Sequence, residues 1–154
     1  MPGGVAMRQG MLLMEWMILP YKRYFDFSGR SRRKEYWLYT LFTVLIFVVI
    51  VAVGLAGVPW TDISNKVTNP QPGPLLWIAI GIGTVFWLAS FIPSIAVTVR
   101  RFHDQNQSGW LYLLAFIPYV GGIVLIVFMC LEGTKGENRF GPDPKDPSSA
   151  DVFI

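Results

Sequence analysis

This chain is short of the groups on which most chemistry and most soluble folds depend. It has one cysteine, Cys130, so no intrachain disulfide can form and a disulfide scaffold is excluded. It has one histidine, His103. A metal site needs several N, O or S donors, and nothing beside His103 supplies a set of them, so no metal or cofactor is expected. Only 15% of the residues are charged, against roughly a quarter in an average soluble domain. Disorder needs low hydrophobicity and high charge; here 53% of the residues are hydrophobic. There is no Gly-rich nucleotide loop, no zinc spacing and no heptad repeat.

What remains is apolar length. Three uncharged runs span about Trp37 to Val58, Leu75 to Val99 and Trp110 to Leu131. A helix needs roughly 20 apolar residues to cross a hydrocarbon core of roughly 30 Å, and all three runs meet that length. Inside lipid only helices and closed barrels satisfy every backbone N–H and C=O, and uninterrupted runs exclude the alternating strands of a barrel. The sequence therefore predicts an all-α integral membrane protein with about three transmembrane helices. Trp37, Tyr39, Trp60, Trp77, Trp110 and Tyr112 stand where aromatic belts meet the headgroups. Trp87 and Phe91, mid-run, are expected to fill helix contacts.

Pro118, with Gly121 and Gly122 close behind, interrupts the third run. Proline lacks an N–H and clashes with the preceding turn. Two readings stand: a kinked spanning helix, or a re-entrant hairpin of two half-helices of the kind tolerated where protein buries the turn. Pro93 is a milder interruption of the second run.

Met11 to Leu19 is apolar but too short to cross, carries Glu15, and is followed by no small-residue cleavage site, which argues against a signal peptide. It reads as a short interfacial amphipathic helix ended near Pro20. Met14 is an alternative start, which would make the preceding residues an extension.

Lysine and arginine near the spans set orientation. Lys22, Arg23, Arg30, Arg32, Arg33 and Lys34 precede the first run, and Arg100 and Arg101 follow the second; the Pro-rich connection between those runs holds only Lys66. The amino terminus and the Arg-Arg connection are expected in the cytoplasm. The tail, with Lys135, Arg139 and Lys145, would lie outside after three crossings, against the charge rule, and inside if the third run folds back. The chain thus divides into a basic amino-terminal segment (1–36), a membrane region (37–131) and a Gly/Pro-rich tail (132–154), polar and expected to be mobile after Pro144.

Ser31 is a candidate cap for the first long helix, Ser108 for the third, and Gly133 a candidate stop. Arg32, Arg33 and Lys34 in a helix's first turn oppose its macrodipole, so Glu35, Asp26 or lipid phosphates must offset them. Arg100 and Arg101 suit a helix C-terminus, and Asp104 can orient the His103 ring or pair with an arginine. Catalysis through a nucleophile would need an activated Ser, Cys or Lys beside a base. Ser108 near His103 is the one such pairing, and no nucleophile elbow flanks it, so the chain reads as non-enzymatic. The excess positive charge is accounted for by topology, and nucleic-acid binding is not expected.

Three ordered motifs resemble one family. Phe27-Ser28-Gly29-Arg30-Ser31-Arg32-Arg33-Lys34-Glu35-Tyr36-Trp37 is similar to its first signature. Val99-Arg100-Arg101-Phe102-His103-Asp104 with Ser108-Gly109-Trp110 is similar to the second, and Ile117-Pro118 with Gly121 and the stretch Gly133 to Pro144 to the third. The family is the bacterial inner-membrane "domain of unknown function 805" proteins, and the resemblance covers about Met14 to Pro144. Phe102 replaces a usual aliphatic residue, and the first connection is unusually rich in proline. The resemblance implies a small bacterial inner-membrane protein and carries over no activity and no catalytic residue. The expected role is a non-enzymatic module binding anionic lipid headgroups or a membrane partner, with homo-oligomerisation open. Its candidate contacts are Arg30, Arg32, Arg33, Lys34, Glu35, Arg100, Arg101, His103, Asp104, Asn138 and Arg139. A subunit of a small oligomeric transporter or channel is the alternative.

Overall fold

The computed structural model of the chain describes residues 12–145. Among these residues the regular structure is helical, and the only β pairing is an isolated bridge between Asn138 and Gly141. The expected extension before Met14 and the expected mobile tail beyond Lys145 lie largely or wholly outside the described residues.

Helix α1, Leu13–Lys22, starts with half of a capping box: the Glu15 carboxylate accepts the Leu12 N–H at 3.0 Å. It buries Trp16 and Pro20 and leaves Leu12, Leu13 and Met14 exposed. It ends at Lys22, near Pro20 as expected, with the proline inside its last turn and the ring packed inside the fold. Burial there offsets the lost backbone hydrogen bond.

Helices α2, Arg33–Ala56, and α4, Pro74–Asp104, are the two long ones. At 1.5 Å per residue they extend about 36 Å and about 46 Å, and both are long and apolar enough to cross a membrane. Helix α4 runs through Pro93 without ending, the ring fully buried and Thr98 hydrogen-bonded back to the Ser94 carbonyl at 2.7 Å. Between them lies a short helix α3, Trp60–Ser64, with the Trp60 indole donating to the Leu55 carbonyl at 2.9 Å.

The chain forms two compact units, Phe42–Phe91 and the residues on either side of it. In the first, helices α2 and α4 approach closely where side chains are small. A Cβ at Gly54 would stand 3.2 Å from that of Ala79, and Phe47 meets Phe86 edge-on at 5.3 Å. Trp87 and Phe91, expected to fill helix contacts, meet each other with tilted rings, centroids 5.4 Å apart, and stay exposed, because their spacing of four puts both on the same outward face.

The third apolar run is not one helix. It forms a 3-10 segment, Gly109–Phe116, a turn, and helix α5, Gly121–Cys130. Ser108 caps its start as expected, accepting the Trp110 N–H at 3.4 Å. The two pieces pack on each other. Tyr119 turns the chain at φ 64°, and a Cβ on Gly121 would collide with the Leu114 carbonyl. Helix α5 is about 15 Å long by its rise, half of a hydrocarbon core. Both ends of the run return to the same end of α4: Gly109 lies against Val99 and His103, and the Leu131 carbonyl accepts from Arg101. Cys130 therefore sits beside Arg33, which donates to its carbonyl at 2.9 Å.

Candidate functional site

The last turn of α4 places Arg100 and Arg101 on different sides of the helix, and they take different partners. Arg100 donates from Nε to Ser31 Oγ at 3.0 Å and from Nη2 to Glu35 Oε1 at 3.3 Å. Its Nη1 donates to the Asp26 carbonyl and, at 3.4 Å, to that of Arg23. The Ser31 N–H returns a bond to the Arg100 carbonyl at 3.1 Å. Ser31 is thus not the expected helix cap; α2 begins two residues later, and the hydroxyl serves a guanidinium 69 positions away.

Arg101 pairs with Asp104 Oδ2 one turn on and donates to the Leu131 carbonyl. Arg30 takes the other oxygen of the same carboxylate, Nε to Oδ1 at 3.0 Å. Its remaining N–H groups reach the tail: Gly136 O at 2.6 Å, Gly141 O at 3.3 Å and Thr134 O at 2.5 Å. All five charged residues, Arg30, Arg100, Arg101, Glu35 and Asp104, are at most 5% exposed. Three guanidiniums face two carboxylates, and backbone carbonyls take up the donors that carboxylates do not. Arg101 Nε alone has no hydrogen-bond partner among the described buried side-chain atoms.

The tail is built onto this cluster. Thr134 N–H donates to the Asp104 carbonyl at 2.8 Å, and Asn138 Nδ2 to the His103 carbonyl and Thr134 Oγ1, both at 2.9 Å. Gly133, expected as a helix stop, lies beyond the end of α5 and is pressed against the Asp104 carboxylate, where no Cβ fits. Phe140 stacks on the His103 ring, centroids 3.9 Å apart and planes 5° apart. Arg139 lies over Phe140 at 4.7 Å and donates to the Asn106 carbonyl at 3.1 Å.

His103 Nδ1 is 3.2 Å from the Gly29 carbonyl. A carbonyl only accepts, so Nδ1 carries the proton. Asp104 therefore serves two arginines and not the imidazole, and the Ser108 oxygen serves the Trp110 N–H.

The remaining candidates face outward. Lys34 is exposed, and Arg32 and Arg33 are partly so; Arg32 and Lys34 lie over the Trp16 ring at 5.8 and 5.4 Å. Arg33 pairs with the exposed Glu132. Arg139 is exposed as well. Asp26 is held locally: Arg23 donates to Oδ2 and Ser28, through N–H and hydroxyl, to Oδ1. Burial pushes the Asp26 carboxyl up, but the bonds from Ser28 and the Arg23 guanidinium outweigh it and hold the carboxyl below its ordinary value.

Sequence reasoning missed Ser31, Thr134 and Gln105 as parts of this site. Gln105 donates to the Phe128 carbonyl at 2.5 Å. All three act through partners distant in the chain, and no local spacing signals them.

Among the described residues the fold is helical, with two helices of membrane length and a buried arginine–carboxylate cluster tied to a folded tail. The chain belongs to the family described as protein of unknown function (DUF805), which matches residues 24–142 and so encloses the whole cluster. It is 38% identical over 133 residues to the inner membrane protein YhaI of Escherichia coli strain K12, covering 86% of this chain and 97% of that one. It is likewise 38% identical over 132 residues to the inner membrane protein YhaH of the same strain, covering 86% and 98%. To the uncharacterized protein YiiR of that strain it is 25% identical over 161 residues, covering 88% and 92%. No solved structure matches.

Proposed function

We propose that this chain is a non-enzymatic module of a bacterial inner membrane whose outward-facing cations bind anionic lipid headgroups. The observation that carries the reading is a division of labour among the basic residues. Arg30, Arg100 and Arg101 are buried and spent on internal partners, while Lys34, Arg32, Arg33 and Arg139 are at least partly exposed. Lys34 and its neighbours stand at the start of a membrane-length helix and beside the exposed Leu13 of α1. Cations there suit the negative surface of a cytoplasmic leaflet, and an apolar helix face beside them suits the interface. In this reading the amino terminus is cytoplasmic, α2 and α4 cross, and the third run enters and leaves on the cytoplasmic face, which returns the basic tail to the side the charge rule favours.

The test is co-purification of phosphatidylglycerol against phosphatidylcholine with the detergent-solubilised protein. The variant in which Arg32, Arg33, Lys34 and Arg139 are all changed to Gln is expected to retain several-fold less phosphatidylglycerol while still eluting as a folded, monodisperse species. Equal retention by both proteins would refute headgroup binding by these residues.

The broken third run favours a second reading, a subunit of an oligomeric transporter, since discontinuous helices are a feature of transporter sites. Flux through proteoliposomes, together with an oligomer in detergent, would support it over the first.

A further inference from the structure

The His103 side chain does more than tie the tail to α4. Its ring forms part of the wall of a cavity of about 390 Å3 lined by Ile95, Val99, Trp110, Leu113 and Phe140 among others. That is a volume typical of small-ligand sites. The walls are overwhelmingly apolar and include no charged side chain. Because Nδ1 donates to the Gly29 carbonyl, neutral His103 presents Nε2 as a bare acceptor. Among the described residues Nε2 has no hydrogen-bond partner, and it lies toward Gly109, another wall residue, 3.4 Å from where a Cβ on that glycine would sit.

The ring cannot turn this acceptor away. Phe140 stacks on one face, Nδ1 is anchored, and the backbone carbonyl of the same residue is held by Asn138. A fixed acceptor in an apolar wall favours a ligand that brings one donor and otherwise little polarity. The absence of a charged lining residue disfavours an ionised headgroup, which would enter without a counter-charge. The Ser108 and Tyr112 hydroxyls and the Trp110 indole N–H are the other polar side-chain groups among the wall residues. Ser108 already caps the 3-10 segment with its oxygen.

We propose that this cavity binds a neutral lipid alcohol, an apolar chain ending in a hydroxyl of the diacylglycerol type, with His103 Nε2 accepting the hydroxyl hydrogen. The exposed cations of the headgroup reading do not line it, so the two proposals stand or fall separately.

His103 is the only histidine, so nitrogen-15 histidine labelling yields one ring to observe. The full chain is placed in nanodiscs of phosphatidylcholine, which carries no hydroxyl, at a pH above 8 and titrated with dioctanoylglycerol. The unliganded ring should show a protonated Nδ1 and a bare Nε2, and the Nε2 resonance should move upfield saturably with the alcohol. The acetyl ester of the same lipid, which lacks the hydroxyl, should leave it in place. Leu113→Trp, which fills the cavity from an exposed wall position, should abolish the response without changing the Nδ1 signal. A protonated Nε2, no movement with the alcohol, or equal movement with the ester would each overturn the proposal.

Discussion

Asp104 stands between Arg30 and Arg101, one carboxylate oxygen to each guanidinium, with the Arg30 contact at 3.0 Å and all three side chains buried. Arg101 comes from the same helical turn; Arg30 comes from the segment before α2, 74 positions away. One carboxylate therefore fastens the amino-terminal segment to the end of α4, and through Arg30 it fastens the tail as well.

Removing that carboxylate should be costly. Asp104→Asn leaves two buried guanidiniums without a counter-charge, and breaking a buried pair in this way costs about 3–5 kcal/mol. Thermal unfolding in detergent should show a large drop for Asp104→Asn and almost none for the exposed Arg139→Gln, for which about 0.5 kcal/mol is the usual range. Equal midpoints would mean that the cluster does not hold the fold.

The glycines of the third run and tail make a sharper steric test. A Cβ on Gly133 runs into the Asp104 carboxylate, whereas one on Gly122 meets nothing within 4 Å. Gly133→Ala should destabilise by about 1–3 kcal/mol through forced displacement. Gly122→Ala, inside α5, should be neutral or stabilising by up to about 1 kcal/mol from helix propensity. Melting curves measured side by side should place Gly133→Ala clearly below the parent and Gly122→Ala at or above it.

Cys130 reports where the third run ends. It is exposed, and its carbonyl is bound by Arg33 at the beginning of α2. A run that folds back puts this thiol on the cytoplasmic side in the proposed orientation. A membrane-impermeant maleimide should label it in inside-out vesicles and leave it unlabelled in right-side-out ones. The reverse pattern would require the run to cross.

Asp26 supplies a pH dependence. Its folded value is depressed below the ordinary 3.8. A depressed carboxyl contributes stability that is complete above the unfolded value and lost as the pH falls through the folded one. The difference in thermal midpoint between the parent and Asp26→Asn should thus be constant near neutral pH and shrink as the pH is lowered below about 3.8. A difference that persists unchanged into strong acid would show that the carboxylate charge is not what the site uses.

Much of this was legible in the residue order. Three apolar runs announced about three membrane helices, and the first two form long ones, because length and composition alone set what can cross lipid; the third run is broken into two short pieces. Pro118 and its glycines announced a break, since a missing N–H and a missing Cβ are local properties. Ser108 announced a cap for the same reason. Where local rules misled, burial was the cause. Ser31 leaves the cap position for Arg100, and Gly133 serves close approach and not helix termination.

The amino acids alone determined the kind of solvent each stretch prefers, because hydropathy and backbone hydrogen bonding are summed residue by residue. They also marked the basic and acidic residues at the helix ends. Which of those charges are sealed inside and which remain outward was decided by tertiary structure. Guanidiniums and carboxylates pair through space, and the partners of Arg30 and Arg100 lie far along the chain, where no spacing rule reaches.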